Sequence, residues 1–318
     1  MAVTSGALKR SRPTERRDDV VNALKVDFMG IGAPKCGTTW LFYALGQHPK
    51  ICLSEPKEIR YFNREDFGKP FVHGRDRLPL INPNHSNDIA WYARHYKHCP
   101  ANMIKGEFTP QYLYDEEAPS LIHRHFPDVK LLVCLRKPVD QLHSHFFART
   151  RYSRRDNAIT FEEAIEQDPR YLLRAYYANH LDRFIEIFTR ERIKVVLLED
   201  IIECPEQTVR DVFDFLGVES EIDLDLNNVP KNRAKKNRLV SPEPVMRWFS
   251  SFLIEHDQAA LLRKMRNLGL KKLLLGISTI ESPREPLNLE TQDRVSRLFH
   301  DDISELEVIL DRDLTTWR

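Results

Sequence analysis

Val26-Asp27-Phe28-Met29-Gly30-Ile31-Gly32-Ala33-Pro34-Lys35-Cys36-Gly37-Thr38-Thr39-Trp40-Leu41 is the stretch whose reading decides the fold. An apolar run gives way to a tight glycine-bearing turn and then to the first turn of an apolar helix reaching about Gly46. A helix N-terminus leaves amide donors unpaired and carries partial positive charge, so a loop closing onto one forms an anion cradle. A phosphate is the expected guest.

Outward from this stretch, the same kind of unit recurs. Val129–Leu135 is nearly continuous in apolar residues and stops at Arg136-Lys137-Pro138, as a strand buried on both faces would. Pro138 suits the first turn of a helix. Ile193–Asp200 reads as another buried strand and Ile51–Leu53 as a short one. Between them lie Phe161–Gln167, with Thr160 and Glu163 as a capping box, an amphipathic helix over Tyr171–Phe184, and Pro205–Leu216 closed by Gly217. Further helical segments cover most of 243–275 and 289–312. Strands alternating with helices predict a three-layer α/β, P-loop-like fold with a short central parallel sheet flanked by helices. One domain over 26–318 is expected, preceded by a disordered tail, 1–25. Open α/β sheets bind ligands at the carboxyl ends of their strands, which is where Arg136 falls. Two anion sites at one sheet edge are therefore expected.

Composition narrows the partners. Lys and Arg number 48 against 47 Asp and Glu, so no global field recruits nucleic acid or a membrane surface. No apolar run approaches the roughly 20 residues that span a bilayer. The N-terminal tail holds Lys9, Arg10, Arg12, Arg16 and Arg17 without an apolar core, so it is not read as a secretory signal. Cys36, Cys52, Cys99, Cys134 and Cys204 are odd in number and scattered, which predicts reduced thiols in a cytoplasm. His73, His85, His95 and His98 lack the companions of a metal site and read as solvated loop histidines; no metal is expected.

Closer inspection of the first loop shows an informative departure from the nucleotide-binding pattern G-x-x-x-x-G-K-[ST]. Gly32 and Gly37 are correctly spaced, yet Thr38 stands in the lysine's place and Lys35 lies inside the loop. This P-K-C-G-T-T-W arrangement resembles the 5′-phosphosulfate loop of sulfotransferases that use 3′-phosphoadenosine 5′-phosphosulfate (PAPS). Arg136 and Ser144 match that family's 3′-phosphate element, R-x-P-x₅-S. Lys57-Glu58-Ile59-Arg60-Tyr61-Phe62 resembles the K-E-x-x-[YF]-F segment of heparan-sulfate and bacterial types, which places the catalytic glutamate at Glu58. Gly106–Leu113 resembles an element bordering the acceptor pocket, with Phe108 where some members have lysine. The resemblance therefore assigns Glu107 and Phe108 to the acceptor side, with a structural turn role for Glu107 left open. Tyr177 matches a tyrosine near the nucleotide, core packing being the competing account. Lys235, Lys236 and Arg238 match a loosely patterned basic loop over the 3′-phosphate.

The resemblance implies transfer of a sulfuryl group from PAPS to a hydroxyl or amine, releasing the 3′,5′-bisphosphate PAP. Lys35, Cys36, Gly37, Thr38, Thr39 and Trp40 would hold the 5′-phosphosulfate, Lys35 neutralising the leaving oxygen, while Glu58 deprotonates the acceptor. The irregular segment 63–100 is expected as an acceptor-side insertion. A small-molecule acceptor and a soluble enzyme are expected, with a glycan acceptor or a P-loop kinase as the alternatives. The Glu199-Asp200 pair could pass for the magnesium-binding acid of such a kinase.

Overall fold

The computed structural model describes residues 24–64, 87–150, 160–167, 170–230, 235–237, 279–281 and 286–318. Phe28–Gly32 forms strand β1, buried along its whole length. It lies at the centre of a five-stranded parallel sheet completed by β2 (Ile51–Leu53), β3 (Ile104–Phe108), β4 (Lys130–Leu135) and β5 (Ile193–Leu197), in the order β2-β3-β1-β4-β5. Parallel strands need crossovers, and these are supplied by helices. They include α1 (Thr38–Leu45), α2 (Ala118–His125), α3 (Pro138–Thr150) and α4 (Tyr177–Phe188), and α5 (Pro205–Leu216) follows the last strand. Helices α1 and α5 pack together, whereas α2 and α7 (His300–Leu310) both pack on α4, and α6 (Leu289–Leu298) packs on α3.

Strand β3 is not visible in the sequence, because Ile-Lys-Gly-Glu-Phe has neither an apolar run nor clean alternation. Its pairing depends on two glycines. A Cβ on Gly30 would come within 2.0 Å of the Phe108 ring, and one on Gly106 within 2.2 Å of the Phe28 ring. Each missing side chain lets a ring lie across the neighbouring strand. Phe108 consequently stacks edge-on against Phe28 and Phe42 in the core, fully buried.

Other expectations are corrected. The helix over Tyr171–Phe184 is two pieces, Arg170–Leu173 and α4, because α4 is capped from a distance: Asp302 on α7 accepts from the Ala178 and Asn179 amides. The strand over Ile193–Asp200 ends at Leu197, and Glu199 and Asp200 lie in a helical first turn. Cys52 and Cys99 form a disulfide, so the reading of all five cysteines as reduced fails; Cys36, Cys134 and Cys204 are free. His95 is buried, with Nδ1 on the Glu55 carbonyl, and His98 Nε2 meets the Leu53 carbonyl, so these two are not solvated loop histidines. Lys235 and Lys236 lie on a short strand, β6 (Lys235–Asn237), antiparallel to β7 (Thr279–Glu281). Arg238, most of the N-terminal tail, residues 65–86 of the insertion and the helical segment over 243–275 lie outside the described residues.

The disulfide joins β2 to the end of the segment that follows the helix Ile89–Ala93, across a separation of 47 residues. Closing so long a loop restricts the unfolded chain. Cys99→Ser is expected to lower the unfolding free energy by about 2–4 kcal/mol, measured by urea titration against the parent.

Candidate active site

Four of the five strands deliver a candidate residue at the same rim. The loop after β1 carries Lys35, the segment after β2 carries Glu58, β3 ends beside Glu107, and Arg136 follows β4 directly. Because β1 and β4 are neighbours, the Ala33 amide donates to the Cys134 carbonyl at 2.7 Å, which ties the first loop to the strand bearing Arg136.

The loop itself is built by two left-handed residues, Lys35 at φ 71° and Gly37 at φ 94°. Gly37 is the N-cap of α1, and only glycine adopts that φ without strain. Its turn aims the unsatisfied first amides of α1 toward the loop. Lys35 is exposed, whereas Cys36 beneath it is fully buried; burial pushes its thiol well up, so it fills space. Gln141 on α3, a residue the sequence reading missed, is also buried and donates Nε2 to the Pro34 carbonyl (3.0 Å) and the Tyr114 hydroxyl (3.2 Å). Thr38 and Trp40 are buried, and Thr39 is half-buried.

Glu58 lies two-thirds covered, with Arg60 at 3.0 Å and Lys57 at 3.8 Å. Burial acts to raise its pKa, but the charges of Lys57, Arg60 and Lys35 outweigh it and hold the carboxyl below its ordinary value. The group is a carboxylate at neutral pH, facing Lys35. Lys57 opens the K-E-x-x-[YF]-F match but received no role from it.

Glu107 is wholly buried beneath this segment. Tyr92 and Tyr112 hydroxyls donate to Oε1 and Thr109 to Oε2, each at 3.0 Å, and the Ile59 amide adds a fourth bond. The donors are themselves tied to the Glu58 segment: Arg60 N–H donates to Thr109 Oγ1 and Tyr61 N–H to the Tyr112 hydroxyl. Glu107 therefore holds the Glu58 segment on the sheet, the structural role, with its side chain wholly buried. The described part of the insertion, including Trp91 and Tyr92, packs on Tyr61 and Phe62 from the other side.

Arg136 is paired to Asp140 one turn into α3, at 3.1 Å, and Ser144 lies a further turn along, buried. Tyr177 is fully buried at the start of α4, its hydroxyl 3.9 Å from Cys36 Sγ and within the field of Arg136. It thus packs directly under the loop. At the end of β5, Arg312 grips both Asp200 oxygens at 2.6 Å and Trp317 Nε1 donates to Glu199 at 3.2 Å. The Cys52, His98 and Cys99 ligand atoms lie within 4.8 Å of one another, but both sulfurs are bonded together. No helix among the described residues is long and apolar enough to cross a membrane.

A rim with an anion loop, a facing carboxylate and a second cation suits transfer of a charged group, and the comparisons agree. A family model described as sulfotransferase domain matches residues 25–264. The chain belongs to the sulfotransferase family. Members use PAPS, and this chain carries a PAPS-dependent sulfotransferase domain. It is 28% identical over 243 residues to carbohydrate sulfotransferase 15 of Rattus norvegicus, covering 60% of this chain and 43% of that protein. It is 26% identical over 213 residues to the bifunctional heparan sulfate N-deacetylase/N-sulfotransferase 3 of Homo sapiens, covering 60% and 22%. The chain thus spans less than half the length of these curated relatives. The crystal structure of a sulfotransferase from Alicyclobacillus acidocaldarius superposes with a TM-score of 0.63 at 24% identity, covering 93% of this chain and 99% of that one, a likeness of fold.

The buried Glu107 gives a pH signature. Desolvation, opposed by the donors from Tyr92, Thr109 and Tyr112, raises its pKa from 4.5 to about 7. A carboxyl whose folded pKa exceeds its unfolded one binds more protons when folded, so its contribution to stability falls as pH rises through that window. Thermal melts across it should show the parent losing stability relative to Glu107→Gln as pH increases.

Proposed function

We propose that the sulfotransferase domain moves a sulfuryl group from PAPS to the hydroxyl or amine of a small-molecule acceptor, with Lys35 and Glu58 as its catalytic residues. The observation that carries this reading is the meeting of Lys35, Glu58 and Arg136 at one rim, through the pairing of β1 with β4 and the Glu107 network.

The first amides of α1, from Thr38 to Trp40, together with Lys35 would hold the 5′-phosphosulfate. Arg136, whose planar fork matches a phosphate, and Ser144 would hold the 3′-phosphate. Tyr177 and Cys36 support the loop from below. The β6 lysines, Lys235 and Lys236, are assigned with Arg238 to cover the 3′-phosphate.

In the transfer, the acceptor oxygen or nitrogen attacks sulfur while the bond from sulfur to the bridging phosphate oxygen breaks. The electron pair leaves on that oxygen, where the Lys35 ammonium stabilises it more as charge develops than before. The acceptor proton passes to Glu58. Its low pKa ensures that it is ionised at neutral pH, and the neighbouring cations keep it oriented.

A glycan acceptor is the second reading, favoured by the names of the relatives, one a carbohydrate and one a heparan sulfate sulfotransferase. A kinase reading is disfavoured: the acids after β5, where a magnesium ligand would be sought, are engaged by Arg312 and Trp317.

Lys35→Ala is expected to lower kcat by about 10²–10³-fold, and Glu58→Gln by about 10²–10⁴-fold with PAP affinity little changed. Both are read with labelled PAPS against a panel of small alcohols, phenols, amines and desulfated glycans. Normal turnover of Glu58→Gln on the best acceptor would remove Glu58 from the role of base. Activity surviving EDTA separates this chemistry from a magnesium-dependent kinase.

A further inference from the structure

Lys57 opens the K-E-x-x-[YF]-F match, yet it is a rim cation to which the proposed mechanism gives no role. Its side chain is only 15% exposed, and its partners are specific. Nζ donates to Thr38 Oγ1 at 3.4 Å and Thr39 Oγ1 at 3.3 Å, and lies 3.8 Å from Glu58 Oε1. The Phe108 ring, 6.0 Å away, closes the apolar side. Desolvating an ammonium is costly unless it is well paired. Two of its three partners here are neutral hydroxyls, and the third is a carboxylate shared with Arg60 and within the field of Lys35.

The hydroxyls give the arrangement a direction. A threonine hydroxyl has one proton to donate. When the Thr38 oxygen accepts from an ammonium, its proton is directed elsewhere, and Thr38 is the first residue of α1, where the anion cradle is formed.

We propose that Lys57 is a positioning residue of the donor loop, orienting the Thr38 hydroxyl as a donor toward the 5′-phosphosulfate, bracing Thr39 beside it, and joining that loop to the Glu58 carboxylate. One ammonium thus links the donor half of the site to the acceptor half. This rests on the reading of the first loop as the phosphosulfate site, and its link to the base rests on Glu58. The charged or titratable groups that bear on Lys57 are Glu58, Arg60 and Cys134, and those on Glu58 are Lys57, Arg60 and Lys35. Among the charges that hold Glu58 low, Lys57 is the largest.

The test uses the full chain with Lys57→Met, and with Lys57→Gln, which keeps length and a donor group without charge, should the first not fold. PAP is titrated calorimetrically, and kcat/KM is followed against pH. The expected result is PAP affinity lowered about 10-fold or more, the scale of one charge-assisted bond, together with an acidic limb displaced to higher pH. The PAP loss should be much smaller when the same change is made in a Thr38→Val, Thr39→Val background, because the hydroxyls through which Lys57 acts are then absent. A merely structural lysine would lower the melting temperature while leaving PAP affinity per active molecule and the pH limb unmoved, and that outcome overturns the proposal. A loss that persists in full in the valine background also overturns it. Failure of Glu58 as base is read separately, from Glu58→Gln turnover, and leaves the PAP titration of the Lys57 variants interpretable.

Discussion

The structure depends on the parallel pairing of β1 with β4, sealed at its end by the 2.7 Å hydrogen bond from the Ala33 amide to the Cys134 carbonyl. Parallel strands end on the same side, so whatever follows one lies beside whatever follows its neighbour. A loop that can hold one anionic group is thereby set next to an arginine that can hold another. Neither Lys35 nor Arg136 is unusual alone; their adjacency is what a nucleotide with phosphates at both ends of its ribose requires.

Around that seam, charge and burial are arranged in layers. The exposed layer holds Lys35, and a mostly covered layer holds Glu58, Arg60, Lys57 and Arg136, each beside an opposite charge. Beneath them lie buried polar groups: Gln141 supports the loop through the Pro34 carbonyl, and Glu107 gathers four donors, several of which also grip the Glu58 segment. A buried carboxylate is tolerated only when hydrogen-bonded this fully. The result is a flexible-looking stretch between β2 and the insertion held at several points from below, which is how a charged side chain can be fixed without burying the charge itself.

Some of this was legible because it is local. The Phe28–Gly32 strand, the glycine turn and the α1 helix follow from apolar pattern and turn chemistry over sixteen consecutive residues. The capping box at Thr160 and Glu163 appears as read, with reciprocal bonds of 2.8 and 3.1 Å. What was misread depends on groups distant in sequence. Strand β3 exists because Gly30 and Gly106 make room for rings from the neighbouring strand, and α4 starts at Tyr177 because Asp302, 124 residues away, caps it. Cys52 and Cys99 are 47 residues apart, and no spacing rule links them.

The sequence by itself determined the α/β class and the anion loop at the end of the first strand, because apolar pattern and turn chemistry are local, and it offered Lys35, Glu58 and Arg136 as candidates through short motifs that resemble those of the family. Only the tertiary structure decided which side Glu107 and Phe108 face, that Lys57 reaches the Thr38 and Thr39 hydroxyls, and that the acids after β5 are tied to Arg312 and Trp317. These depend on which strand lies beside which, and that order is set by packing over the whole core.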